Sequence, residues 1–258
     1  MMLYIILISC AVVFISGCGD TPVKPVNAPP DEKTAASTLA PAPEEDAQVS
    51  GLSYDNKTGT LVYTLSGPAL VRVRFGQDNN GPLLINLIDW EEQDEGGHKV
   101  VWDKKDESKR VDFSSRRGLM ASVFTLPWDP QKRAAYTGAV RGLRKAPGIH
   151  LLFPASSNNS INEVPIVNGL VPVRVIVDGK DKKWLTDVKY GVSFFLDSAH
   201  LLTDQEGISP YTYFLDTQRL RNGQHIVTVN ITAYSGEIAT ASRMIKVNNT
   251  QLKGSAHE

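Results

Sequence analysis

Cysteine is nearly absent from this chain: Cys10 and Cys18 are the only two in 258 residues. So few thiols exclude a disulfide framework or a thiolate metal cluster as the source of stability. An excess of charge of either sign is lacking too. With 27 basic and 28 acidic residues the formal net charge is −1. That leaves no global basic field to recruit nucleic acid and no acidic surplus to recruit cations. Catalytic signatures are missing as well. The chain contains no GxSxG nucleophile elbow, no GxGxxG after a strand and no GxxxxGK[ST] loop. Its five histidines, His98, His150, His200, His225 and His257, are scattered, and none has a metal-ligand spacing. No enzyme, metal site or cofactor is therefore expected. No segment sustains a helical period over three turns, and the one long uncharged apolar run lies at the N terminus.

That run, Met1 to Ser16, is shorter than the roughly 20 residues a membrane-spanning helix needs, and has the length of a secretory h-region. It ends in Ile15-Ser16-Gly17-Cys18. This tetrapeptide resembles the lipobox of bacterial lipoproteins, although the leader carries no Lys or Arg. The resemblance implies a signal peptide over 1–17 and acylation of Cys18 as the first residue of the mature chain. With Cys10 removed, Cys18 is then the sole thiol and wholly an anchor. Gly19 follows it, and the acidic residue that favours inner-membrane retention in such families comes one place later, at Asp20. The resemblance therefore points to the outer membrane.

From Gly19 to Gln48 the sequence is rich in Pro, Ala, Asp and Glu and has no aromatic residue. Such a segment buries too little apolar surface to offset its ordering entropy. Residues 18–48 read as a lipidated, disordered tether.

Beyond it, period-two alternation takes over. Leu61, Tyr63 and Leu65 share one parity, then Ala69, Val71, Val73 and Phe75, with Arg72 and Arg74 pointing the other way. Turn chemistry separates these runs, as in Asp55-Asn56-Lys57-Thr58-Gly59, Asp78-Asn79-Asn80-Gly81 and Glu95-Gly96-Gly97. Further on, Val173, Val175 and Val177 alternate with Arg174 and Ile176. Val188, Tyr190, Val192, Phe194 and Leu196 hold one parity, and so do Val227, Val229, Ile231 and Ala233, with Thr228, Asn230 and Thr232 opposite. Short alternating strands with such turns predict an all-β fold. A strand is expected over Ile149–Phe153, and the polar stretch Pro154 to Asn162 marks a linker. The expected organisation is a β-sandwich over 49–155, a second over 163–249 and a tail over 250–258.

Two further resemblances sharpen this. Residues 60–126, with Leu65-Ser66-Gly67-Pro68-Ala69-Leu70-Val71, then Gly96-Gly97-His98 and Val100-Val101-Trp102-Asp103, are similar to the Ig-like domain of the flagellar hook-cap protein. In that family Gly usually follows the Trp-Asp pair. Here Lys104 stands in its place, so the tight turn must be rebuilt. Residues Pro210-Tyr211, Leu215-Asp216-Thr217 and Leu220-Arg221-Asn222-Gly223-Gln224-His225 resemble bacterial Ig-like or cadherin-like repeats. Both resemblances imply Ig-like sandwiches, and Asn222-Gly223 supplies positive-φ positions between two strands.

The remaining candidates for chemistry are few. The acidic run Glu91-Glu92-Gln93-Asp94-Glu95, with Asp103 and Asp106, has the oxygen donors of a calcium loop, but reads more simply as a solvated hairpin. Trp90, Trp128 and Trp184 lie beside loops, and Trp90 and Trp184 are candidate ligand contacts for stacking on sugar rings. The basic residues Lys109, Arg110, Arg116, Arg117, Lys132, Arg133, Arg141, Arg144 and Lys145 could face anionic lipid or an acidic partner. The expected function is a lipid-anchored interaction or scaffold protein of the cell envelope, held to the outer membrane and binding another envelope protein through its Ig-like domains and strand edges. The alternative is an accessory module for surface or cell-wall polysaccharide.

Overall fold

The computed structural model describes residues 48–128, 143–156 and 163–249. The leader, Cys18, nearly all of the tether, the tail and the basic residues Lys132, Arg133 and Arg141 lie outside the described residues, and so does His257.

The order of elements is β1 (Val49–Asp55), β2 (Thr60–Leu65), β3 (Ala69–Gln77), β4 (Leu83–Gln93), β5 (Gly96–Val101), β6 (Leu119–Pro127), β7 (Ile149–Leu152), β8 (Ile166–Val167) and β9 (Leu170–Val177). A helix α1 (Gly179–Val188) comes next, then β10 (Tyr190–Leu196), β11 (Ala199–Asp204), β12 (Tyr211–Asp216), β13 (Gly223–Ala233) and β14 (Ile238–Val247). The fold is all-β. Sheets of order β1-β2-β5 and β4-β3-β6 form one sandwich; β11-β10-β13-β14-β8 and β12-β9-β7 form the other. Pairings are antiparallel except β14 with β8, where Lys246 and Val247 run parallel to Ile166 and Val167.

Each sandwich has its own core. In the first, Leu61, Tyr63 and Leu65 meet Val71, Val73 and Phe75 around Trp102 and Phe113. In the second, Val171, Val173, Val175 and Val177 of β9 face Val192, Phe194, Val227, Val229 and Ile231. The parity read from the valines is therefore the buried parity.

Local chemistry sets the ends of the strands. The Asp55 carboxylate accepts from the Lys57 N–H and the Thr58 hydroxyl, each at 2.8 Å, closing the β1–β2 turn. Gly59 ends that turn at φ +70°, where a Cβ would lie 2.1 Å from the Trp102 carbonyl oxygen. Its own carbonyl accepts from the Trp102 N–H at 2.9 Å, tying the turn to the end of β5. After Trp102-Asp103, Lys104 adopts φ +59°. A non-glycine residue thus holds a left-handed backbone position here, which glycine would adopt without strain.

Several details differ from the sequence reading. Residues 179–188 form a helix, so Val188 ends α1 and β10 begins at Tyr190. Only Leu185 of this helix is buried, and a two-to-three-turn helix with so narrow an apolar face leaves little period to read. The strand at Ile149 pairs with β9, Ile149 opposite Val177 and Leu152 opposite Arg174. It therefore belongs to the second sandwich, ahead of the polar stretch expected to precede that sandwich. The strands on either side of Asn222-Gly223 are not paired: β12 lies on β9, and β13 lies between β10 and β14. Gly223 has φ +136°, while Asn222 works through its side chain, which accepts from the Asn249 N–H at 2.7 Å.

Candidate functional site: the junction of the two sandwiches

Alternation assigns Arg72 and Arg74 of β3, and Thr228 and Asn230 of β13, to faces away from the two cores. Yet Arg72, Thr228 and Asn230 are buried, at 4%, 3% and 6% exposure. The reason is that these faces meet. Asn230 offers its side-chain amide to β4 as a strand would offer its backbone. Its Oδ1 accepts from the Leu83 N–H at 2.9 Å and its Nδ2 donates to the Leu83 carbonyl at 2.8 Å. The Thr240 hydroxyl donates to the same carbonyl at 2.7 Å. In the other direction, Asn86 Nδ2 donates to the Ile238 carbonyl at 2.8 Å. Ile226 of β13 joins the core cluster of the first sandwich.

Asn230→Ala leaves the Leu83 N–H without its acceptor and the Leu83 carbonyl with the Thr240 hydroxyl alone, and is expected to cost about 1–2 kcal/mol. Urea titration should show a lower midpoint with an unchanged slope, since the surface exposed on unfolding stays the same.

A second set of contacts runs through arginine. Arg72 and Asp89 are cross-strand partners on β3 and β4, and their ion pair closes at 2.6 Å. The Arg72 guanidinium also lies over the Trp90 ring, 4.3 Å from its centroid, and donates to the Arg144 carbonyl at 2.9 Å. Arg144 in turn lies over the Trp184 ring at 5.1 Å. Asp89 accepts from the Ala146 N–H at 2.5 Å. The two tryptophans singled out as sugar-stacking candidates are thus the ends of one relay, Trp90–Arg72–Arg144–Trp184, that fastens residues 144–146 between β4 and α1. One face of each ring is already covered by a guanidinium. Trp128 is buried at 5% rather than displayed beside a loop.

Arg74, two residues along, bonds Asn86 Oδ1 at 2.9 Å and lies over Phe124 at 5.4 Å. Burial, and then the neighbouring Arg72 charge, push its pKa down to about 10.

The third contact centres on Asp197, in the β10–β11 turn. Its Oδ1 accepts from Arg116 Nη2 of the first sandwich at 2.9 Å and from the Ile226 N–H at 3.0 Å. Its Oδ2 lies 2.6 Å from His225 Nδ1. Burial alone would raise this carboxyl, but the bonds from His225, Ile226 and Arg116 together outweigh it and hold Asp197 below its ordinary value.

Beside the junction a cleft of about 790 Å³ opens between β4, the 106–111 loop, residues 145–152 and β14. Its charged lining is of both signs and largely tied internally. Asp106 accepts from the Ser108 hydroxyl and from the N–H groups of Arg110 and Val111. His150 Nε2 lies 2.7 Å from Asp178. Arg243 donates to the Leu151 carbonyl at 3.0 Å. The oxygen donors considered for calcium are dispersed. Asp103 pairs with Lys109 at 2.9 Å, and Gln93 accepts from the Tyr63 hydroxyl at 2.7 Å. Among the described residues no group of three or more His, Cys, Asp or Glu side chains is arranged to hold a metal ion. His98 and His200 serve local strand geometry, through bonds of 2.8 Å to the Asp94 carbonyl and the Thr203 hydroxyl.

Away from the junction, the edge strand β12 and its neighbour β9 carry an apolar patch that the sequence reading did not isolate. Phe214 is directly opposite Pro172 of β9, and Leu170 lies one step along on the same face. Phe214 is 58% exposed and Leu170 65%. The signal was present in the parity of Tyr211–Asp216, where Tyr213 and Leu215 point inward and Phe214 must point out.

No family model matches the chain, and no curated protein matches it. Among solved structures it is similar to the fibronectin(III)-like modules of Clostridium thermocellum CbhA, at 14% identity over 78% of this chain and 92% of that one, with a TM-score of 0.30. It is also similar to an endo-β-1,4-mannanase from Thermotoga petrophila, at 17% identity over 58% of this chain and 30% of that one, TM-score 0.29. A third likeness is to a 1.5-MDa bacterial ice-binding adhesin, at 11% identity over 79% and 66%, TM-score 0.26.

Proposed function

We propose that the protein is a non-enzymatic interaction lipoprotein of the cell envelope. Cys18 carries the lipid, residues 19–48 act as a tether, and the joined sandwiches present strand edges to a protein partner. In this reading the first sandwich is of the hook-cap type and the second of the bacterial Ig-like or cadherin-like type. Lys104 at φ +59° supports the former, since it holds a glycine-type backbone at the place where that family has glycine after Trp-Asp. The observation that carries the proposal is the patch formed by Phe214 of edge strand β12 with Pro172 and Leu170 of the adjoining β9. An edge offers unpaired backbone groups for an added strand, and exposed apolar side chains on its face give that strand something to grip. The anchor and the outer-membrane location rest on the Ile15-Ser16-Gly17-Cys18 motif.

The test uses intact cells and the full chain. A photo-crosslinking amino acid at position 214 is expected to give a discrete protein adduct, and one at Lys183, on the exposed face of α1, is not. Equal labelling at both positions, or none at 214, would remove the β12 edge as the contact. In parallel, Cys18→Ser is expected to abolish palmitate incorporation and release the protein from the membrane fraction. A palmitate-labelled serine variant would overturn the anchor.

A further inference from the structure

Both ring nitrogens of His225 face acceptors. Nδ1 lies 2.6 Å from Asp197 Oδ2 and Nε2 lies 2.8 Å from the Arg221 carbonyl oxygen. A neutral imidazole has one N–H and one lone pair, so it can satisfy only one of these contacts and must point its lone pair at an oxygen in the other. The imidazolium satisfies both. The ring side chain is only 15% exposed, so water replaces a lost partner poorly.

The carboxylate it holds is the one that receives Arg116 from the first sandwich and the N–H of Ile226, whose side chain enters the first core. We propose that His225 is a proton-controlled lock on the junction: its doubly protonated ring fixes Asp197 between the two sandwiches, and deprotonation releases one side of that grip.

The charged groups that bear on the ring come from two elements besides its own strand. Asp197 in the β10–β11 turn favours the imidazolium, and Arg116 in the β5–β6 connection opposes it; from the β12–β13 turn Arg221 presents its carbonyl. Burial alone would lower the His225 value, but the bonds to the Arg221 carbonyl and to Asp197 outweigh it, and the net displacement is upward. The direction of linkage follows. A histidine raised in the folded state adds stability that is fully present below its unfolded value, about 6.5, and lost as pH rises through its folded value. Asp197, held low, acts at the other end and loses its contribution only as pH falls through its depressed value. The lock is closed between the two, above the depressed Asp197 value and below the raised His225 value, and opens as pH rises through the latter.

The test is an NMR titration of histidine-labelled full-length protein, following the His225 ring and the Ile226 amide. Both are expected to titrate with one midpoint above 6.5. Asp197→Asn should move the ring midpoint down towards the ordinary value. Arg116→Gln should move it further up, because it removes an opposing charge supplied by the other sandwich. A wild-type midpoint at or below 6.5, or one unmoved by Asp197→Asn, overturns the lock. A midpoint indifferent to Arg116→Gln overturns its reach across the junction. Since Arg116 belongs to the first sandwich and is part of neither turn that grips the ring, its variant keeps the test available if Asp197→Asn fails to fold.

Discussion

Arg72→Ala is expected to destabilise the protein by about 3–5 kcal/mol, the range for removing one partner of a buried ion pair. Three losses coincide. Asp89, 14% exposed in its side chain, keeps its charge without the guanidinium that balances it and is left with the Ala146 N–H. The Arg144 carbonyl loses its donor. Trp90 loses the cation over its ring. Removing both ends of the pair should be far milder than removing one, because replacing a buried pair with apolar residues of similar size eliminates the uncompensated charge. Arg72→Leu combined with Asp89→Leu is therefore expected to recover most of the loss. Chemical denaturation of the two single variants and the double variant gives the coupling energy directly. If Arg72→Ala costs less than about 1 kcal/mol, the pair behaves as an exposed one and the relay does not fasten residues 144–146.

The same residue shows where sequence reasoning stops. Alternation in β3 correctly placed Val71, Val73 and Phe75 in a core, because a sandwich strand buries every second side chain. It placed Arg72 on the opposite face, which is also correct, but it carried no information on what covers that face. The polar run Thr228, Asn230 and Thr232 of β13 raised the same ambiguity. A hydrogen-bonding side chain suits water and suits a buried, fully bonded seam equally well. Asn230 resolves it only when Leu83, 147 positions away, is seen between its amide oxygen and nitrogen. Trp90 and Trp184 were read as residues beside loops, but they lie within β4 and α1. Their covering arginines come from Arg72, on the adjacent strand, and Arg144, 40 residues earlier in the chain, which no local window joins to them. The crossing of the chain between sheets after β12 was hidden for a related reason. Asn222-Gly223 signals a turn, and turns between sheets use the same residues as turns within one. Lys104 was read as the place where a tight turn is rebuilt, and it instead holds a left-handed backbone at φ +59°.

Trp102→Ala should be as damaging as Arg72→Ala, about 3–5 kcal/mol, but for a different cause: a cavity in place of a large ring. Trp102 is 1% exposed. It stacks on Phe75 with centroids 4.7 Å apart and touches Phe113 at 6.2 Å, and its Nε1 donates to the Lys105 carbonyl at 2.8 Å. Its backbone is fixed as well, N–H to the Gly59 carbonyl, so the strand end cannot move inward to close the void. Trp102→Phe separates the contributions. It keeps a ring against Phe75 while leaving the Lys105 carbonyl without its donor, and should cost clearly less than alanine. Gly59→Ala attacks the same spot from outside, setting a Cβ against the Trp102 carbonyl at a backbone angle that costs an L-residue roughly 1–2 kcal/mol before any clash is counted. Thermal melts of the three variants should therefore rank Trp102→Ala lowest. If Trp102→Phe proves as damaging as Trp102→Ala, the indole hydrogen bond, and not the volume of the ring, holds the β5–β6 connection against the core.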